Sequence, residues 1–408
     1  MKSDLDQLMA RRNLDGFIVV TDEAYNAVRD YLTNGARVTG GYVIKKQGQP
    51  AVMIVNGMEV EEAKASGLDV FNREALGYSE LVKTYRSSPA DLRAVWWRMM
   101  LEAADIHSGR VGVYGAGDLN VYLEVFRILE QHLPNYELVG ETGMTLFDEA
   151  MVTKGPDEIE RIRSVAARTS EVVRLTWDYI ASHRANGEGV VNADGNPLTI
   201  GDVKRFIRRE LMERELEDTG MIFAQGRDAG FPHSRGQEDQ PLQQGQAIIF
   251  DLFPRELGGG YHHDMTRTWS IGYASEAVQQ AYDTVIEAFD RAIEQTKPGV
   301  DGNIPQAAVQ DYFELLGHPT SRSHPGTGEG YVHSLGHGVG LQIHERPRMS
   351  HIVYDKLQKG SVLTIEPGLY YPEQGYGIRI EDMVLLDDSG ALITLTDFHK
   401  QLVLPLSN

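Results

Sequence analysis

Residues 331–347 read YVHSLGHGVGLQIHERP, with His333, His337 and His344 set among Gly336, Gly338 and Gly340 and followed at once by Glu345. The segment is too polar for a core strand and too rich in glycine for a helix, because each glycine gives up more backbone entropy on ordering than any other residue. Imidazoles held in such a segment suit metal binding or proton transfer near neutral pH.

Four acidic residues lie outward from it, each closing an apolar run: Asp251 in AIIFDLF and Asp264 in HDMTRTW upstream, Glu366 in VLTIEPG and Glu381 in GIRIEDMVLL downstream. A single acid at a strand end is ordinarily a turn or capping residue. Four carboxylates drawn into one cleft are a different object, since they repel and raise one another's pKa values unless cations compensate them. Two divalent ions would cancel the four charges. Oxygen-rich ligation with one imidazole suits manganese, cobalt or zinc, and a bridged pair of such ions turns a shared water into a hydroxide near neutral pH, which points to hydrolysis. Strand periodicity places Arg379 and Glu381 on one face of GIRIED, and Asp264, Thr266 and Thr268 on one face of HDMTRT. Arg379 therefore reaches the cleft of Glu381, where a salt bridge to a carboxylate is its structural role.

The chain around these segments has 408 residues, enough for two cores, because single cores stop growing at roughly 250 to 300 residues. Its formal charge is −20, from 39 basic and 59 acidic residues, a field that repels nucleic acid and anionic membrane surfaces. There is no cysteine, so disulfides, thiolate nucleophiles and sulfur-ligated metals are excluded. No apolar run approaches the roughly 20 residues of a membrane helix. The start, MKSDLDQLMARRNLDGFIVV, reads as an amphipathic helix opened by Ser3 and running into a strand, not as a signal peptide, so a cytoplasmic location is expected. Helix and strand patterns then alternate: a paired ribbon in GGYVIKK and PAVMIVN, a long helix in ADLRAVWWRMMLEAADI, a strand in RVGVYGA and a helix in LNVYLEVFRILEQHL. This predicts an α/β domain over residues 1–150. Gly155 and Pro156, followed by Asp157 and Glu158, open a long helix at the start of a second domain, 151–408. Two helices followed by several strands, twice over, suggest a duplicated α+β half.

In their order, HDMTRTW, HSLGHGVGLQIHE, TIEPGLY and GIRIED resemble the signature segments of the M24 metallopeptidases, and within them the prolidase and aminopeptidase P group. The resemblance covers roughly the last 250 residues and implies the pita-bread catalytic fold. LMARRNLDGFIVV and YLTNG make the first half similar to the creatinase-type α/β domain that precedes it. Carried over by position, it implies that Asp251, Asp264, His337, Glu366 and Glu381 hold two divalent ions, with Asp264 and Glu381 bridging. Manganese is the first expectation, cobalt or zinc the others. Glu366 would also act as general base on the bridging hydroxide. His333 and His344 would contact the scissile peptide and its oxyanion, His233 in GFPHSRG would close over the substrate, and the three glycines would let backbone approach the ions. A homodimer is implied, in which the first domain reaches the partner's cleft.

Asp251 and Asp264 stand thirteen positions apart, two more than the family spacing, and the loop DLFPRELGGGYHHD replaces the small residues that usually follow the first aspartate. Either it brings Tyr261, His262 or His263 near the substrate amine, or it is an exposed hairpin tip. The leading expectation is hydrolysis of the bond before proline in Xaa-Pro dipeptides. HERP and the enlarged loop favour this over an Xaa-Pro aminopeptidase acting on longer peptides. A catalytically silent binding module or a metal-free creatinase-type hydrolase would lack the acid set, and no Lys-Ser or Lys-Thr follows GHGVG to make it a phosphate loop.

Overall fold

The structure is a computed structural model that describes residues 4–21 and 25–407, and the elements counted below lie within them. Ser3 falls outside. The chain forms two compact units, Met1–Ala150 and Met151–Asn408.

In the first unit the helix Leu5–Arg11 buries Leu5, Leu8 and Met9, one apolar stripe at helical spacing. The strand after it, Gly16–Thr21, is nearly all apolar and lies inside a six-stranded sheet. It pairs antiparallel with Gly41–Lys46 and parallel with Gly109–Gly115. The ribbon Gly41–Lys46 with Ala51–Val55 is antiparallel as expected, and Asp69–Asn72 and Tyr136–Val139 form the edges. Pro89–Ala103 starts with its proline in the first turn, and Leu119–His132 is capped by Asp118, whose carboxylate accepts from Asn120 N at 2.8 Å. Trp97, Met100, Val125 and Leu129 from these helices bury against Ile18, Ile44 and Val111 of the sheet. The short helices Ala27–Thr33 and Tyr78–Thr84 and the two edge strands were not foreseen, since too few residues show a period there.

The second unit repeats one plan twice. Helices Pro156–Ala181 and Ile200–Met212 are followed by a four-stranded sheet ordered Ile222–Gln225, Ala247–Leu252, Met265–Ile271, Val403–Leu404. Trp177 of the long helix meets Trp269 of this sheet edge to face, ring centroids 5.5 Å apart. Helices Glu276–Gln295 and Asn303–Leu315 are followed by a five-stranded sheet ordered Glu345–Met349, Gly336–Gly338, Val362–Ile365, Asp382–Leu386, Leu392–Thr394. Val285, Ala288 and Phe313 of those helices bury against Leu363, Ile365, Val384 and Leu386. Fully burying a Val, Leu, Ile or Phe side chain of this set contributes roughly 1.5–3 kcal/mol relative to exposure. A bridge between Thr266 and Glu381 joins the two sheets, where Glu381 N donates to Thr266 O at 3.1 Å. Asp264 and Glu381 therefore come together at the seam between the sheets.

Candidate metal centre and active site

Sheet register sets the acids around that seam. Asp251 lies opposite Ile222 and Thr266 in the first sheet, and Asp264 immediately precedes the strand Met265–Ile271. In the second sheet Glu366 follows Val362–Ile365, and His337 sits in the middle of the three-residue strand Gly336–Gly338, where the register with Glu345–Met349 shifts. All five side chains line one cavity of about 420 Å³, a size suited to a small ligand. Asp264, His337 and Glu381 each offer a ligand atom within 4.8 Å of the others, all three buried. His337 Nδ1 lies 3.1 Å from Gly338 O, and its Nε2 faces Glu366 Oε1 at 3.3 Å and Asp264 Oδ2 at 3.7 Å.

The electrostatics fit cations. Burial, with Asp251 and Glu366 beside it, holds the Asp264 carboxyl well above the usual carboxylate range, and burial with Asp264 and Glu366 beside it does the same for Glu381. Asp251 is raised by burial in spite of Arg379. Glu366 goes the other way: burial raises it, but the hydrogen bond and charge of His337, with His333 and Arg379, bring it down to about 2. Asp251 Oδ1 is buried with no hydrogen-bond partner in the protein, a costly state that an ion would relieve. Arg379 is the one buried cation set against these acids among the described residues lining the cavity. Its guanidinium binds Asp251 Oδ2 at 2.5 Å, Thr266 Oγ1 at 3.1 Å and Tyr370 Oη at 2.9 Å. Four carboxylates against one guanidinium leave a deficit that divalent ions fit.

These shifts carry a pH signature. Asp264 and Glu381 are raised above their unfolded values, so their contribution to stability is present at low pH and is lost as pH rises through the raised values. Glu366, lowered to about 2, has the opposite sign but acts below its usual value, under pH 5. Chelator-treated protein should therefore lose thermal stability as pH rises from 5 to 8, and the Tm gained on adding manganese should grow over the same range, because ions bind the deprotonated carboxylates. A gain that shrinks as pH rises would contradict this.

The three histidines of 331–347 do different things. His333 Nδ1 lies 2.8 Å from Ser334 O, and its Nε2 2.8 Å from Tyr370 Oη. With Nδ1 donating, Nε2 accepts the tyrosine hydroxyl, which itself accepts from Arg379. His344 sets its ring edge on to His337, centroids 4.5 Å apart, and burial brings its pKa down to about 4, so it is neutral at pH 7. The turn carrying it is held from behind: buried Lys154 Nζ donates to Glu345 Oε2 at 2.7 Å, and Gln342 N donates to Glu345 Oε1 at 3.0 Å. His233 lies exposed at the mouth of the cavity, and Arg379 and Glu366 sit in its wall.

One reading of the sequence changes. Tyr261, His262 and His263 neither line the cavity nor form an exposed tip; all are buried. Tyr261 Oη donates to Glu158 at 2.9 Å beneath the Arg161 guanidinium, and the backbone of Arg255–Glu256 pairs with Leu216–Glu217. Phe253 is the residue of that loop which does line the cavity. The glycines answer to neighbouring protein atoms: a Cβ at Gly336 would stand 2.1 Å from Thr364 O, and one at Gly340 2.4 Å from the Glu345 carboxylate. Tyr370, which links His333 to Arg379, was missed; its only signal was its place four residues after Glu366 in EPGLY, where it reads as one more apolar strand residue.

Residues 160–388 match the model described as metallopeptidase family M24. The Xaa-Pro dipeptidase of Pyrococcus furiosus is 38% identical over 252 residues, 62% of this chain and 65% of that protein, so the match spans just under two thirds of its length. An Xaa-Pro dipeptidase from Bacillus anthracis superposes with a TM-score of 0.75 at 22% identity over 99% of each chain. The X-Pro aminopeptidase from Thermotoga maritima does so with a TM-score of 0.74 at 21% identity, covering 98% of this chain and all of that one.

Proposed function

The chain belongs to metallopeptidase family M24, a family of hydrolases, and on that premise we propose that it cleaves the peptide bond before proline in Xaa-Pro dipeptides. The fold is the pita-bread α+β fold with an α/β domain before it. The observation that carries the reading is the convergence of Asp251, Asp264, His337, Glu366 and Glu381 on one small cavity, with three of their ligand atoms within 4.8 Å. In this reading those five residues would hold two divalent ions, with manganese the first expectation and cobalt or zinc the others, and the enzyme works as a homodimer. The ions, when bound, supply a hydroxide nucleophile near neutral pH and polarise the scissile carbonyl.

The rest falls to side chains of the chain. Glu366 is the general base: it takes the proton of the attacking water and returns it to the leaving proline nitrogen. His344, neutral at pH 7 with its pKa down to about 4, donates a hydrogen bond to the carbonyl oxygen as negative charge develops there. His333, tied to Tyr370, shapes the side of the cavity that receives the proline ring, and His233 closes over the substrate from the mouth. Arg379 fixes Asp251 by one carboxylate oxygen and leaves the other, buried and without a hydrogen-bond partner, for an ion. On this account His344→Ala keeps its metal content and loses roughly 10²- to 10⁴-fold in kcat. Metal analysis beside steady-state rates checks it, and loss of the ions in that variant would remove His344 from the role of donor.

The test of the substrate is the release of amino acid from Ala-Pro, Ala-Pro-Ala, Ala-Ala and Pro-Ala by manganese-loaded protein. Cleavage of Ala-Pro alone supports the dipeptidase. Cleavage of Ala-Pro-Ala as fast as Ala-Pro replaces it with an Xaa-Pro aminopeptidase, and cleavage of neither proline peptide by metal-loaded protein rejects both.

A further inference from the structure

Arg235 lines the same cavity and none of the chemistry above uses it. Its guanidinium lies over Gly220: a Cβ at that glycine, whose φ is +135°, would stand 3.1 Å from Arg235 Nη2 and 3.6 Å from Phe253 Cε2. Nearby arginines find carboxylates at once. Arg205 pairs with Asp202, Arg208 with Asp218, Arg214 with Glu210 and Arg227 with Glu373. In a chain of net charge −20, Arg235 has no carboxylate within ion-pair distance among the described residues.

The backbone beneath this exposed side chain is fixed at some cost. The buried ammonium of Lys204 donates to Arg235 O at 2.6 Å, and burial pulls its pKa down, so a charge is kept out of water to hold this carbonyl. Gly236, at φ +74°, presses against Phe223, where a Cβ would come within 2.2 Å of the carbonyl oxygen. Phe253 shares with the guanidinium the space over Gly220, and Ile222 and Pro232 add apolar lining to the same cavity. An exposed guanidinium on a fixed backbone, without a counter-ion and in a cavity with apolar lining, is complementary to an apolar group that carries a carboxylate.

We propose that Arg235 is a specificity-determining residue that binds a carboxylate of the substrate, while Phe253, Ile222 and Pro232 take the adjoining apolar part. The proposal rests on the Xaa-Pro reading. Within it the carboxylate has two sources: the free carboxyl terminus of a dipeptide, or the side chain of an acidic residue before proline. The first would make Arg235 the reason a longer peptide is refused.

The experiment compares wild type, Arg235→Met and Arg235→Lys on Ala-Pro against Ala-Pro amide, and on Glu-Pro against Gln-Pro. Wild type should favour the charged member of one pair by roughly 10- to 100-fold in kcat/KM, as a hydrogen bond to a charged group provides. Arg235→Met should erase that preference through KM and not kcat, and Arg235→Lys should restore part of it. Loss of the first ratio assigns the terminal carboxylate, loss of the second the side chain. Calorimetric titration of the same four peptides into metal-stripped wild type and Arg235→Met reads the contact without turnover. If no peptide is cleaved the Xaa-Pro reading fails. If both proteins keep the same ratios in rate or in affinity, the Arg235 proposal is overturned.

Discussion

Asp264→Ala should bind fewer than two divalent ions and release proline from Ala-Pro on the order of 10³-fold or more slowly than wild type. The size follows from what is removed. Asp264 is buried at the seam of the two sheets, within ligand distance of His337 and Glu381, and burial together with Asp251 and Glu366 raises its proton affinity. If Asp264 serves both ions, as the resemblance implies, its loss weakens the hold on both. Lewis-acid stabilisation amounts to several kcal/mol, and each 1.36 kcal/mol is tenfold in rate. Metal analysis after gel filtration and initial rates at saturating manganese measure the two effects together. Two ions retained per chain would refute the bridging assignment, whatever the rate.

Arg379→Met should cost about 3–5 kcal/mol of stability in metal-stripped protein, because it strands a buried carboxylate at Asp251. The same guanidinium also meets Thr266, Tyr370 and the Pro232 carbonyl, so Arg379→Lys should recover only a part: one ammonium cannot span four acceptors in different directions. Manganese should reduce the loss, since an ion on Asp251 would take over part of the neutralisation. Chemical denaturation with and without the ion measures both numbers. A loss that is the same in the two conditions would mean that Asp251 is not a metal ligand.

The acids of the site were legible in the sequence because each lies in or beside an apolar strand, and a strand's two-residue period fixes which side chains share a face. Thr266 shows this: it was placed beside Asp264, and it donates to Glu381 Oε2 at 2.7 Å while receiving Arg379 Nε. The long helices were legible for a similar reason, their caps and apolar stripes lying within a few residues of each other, as at Ser275, which caps Glu276–Gln295. What failed was what only tertiary contact decides. Lys154 and Glu345 are 191 positions apart, and no local pattern announces that one buried ammonium supports the turn of His344. The loop between Asp251 and Asp264 looked polar enough to face substrate, yet Glu158 and Arg161 from the long helix of the second unit bury Tyr261. Arg235 reads as one more basic residue after a histidine. Only the fold shows that the carboxylates which occupy its neighbours do not reach it.

The central claim, that paired ions on the Asp251, Asp264, His337, Glu366 and Glu381 set drive cleavage before proline, meets its most direct test in a titration. Metal-stripped protein is given manganese in fractions of an equivalent while bound metal and proline release from Ala-Pro are followed together. The account predicts no release from stripped protein and a maximum reached at two ions per chain. Full turnover after stripping, or no turnover with two ions bound, would contradict it.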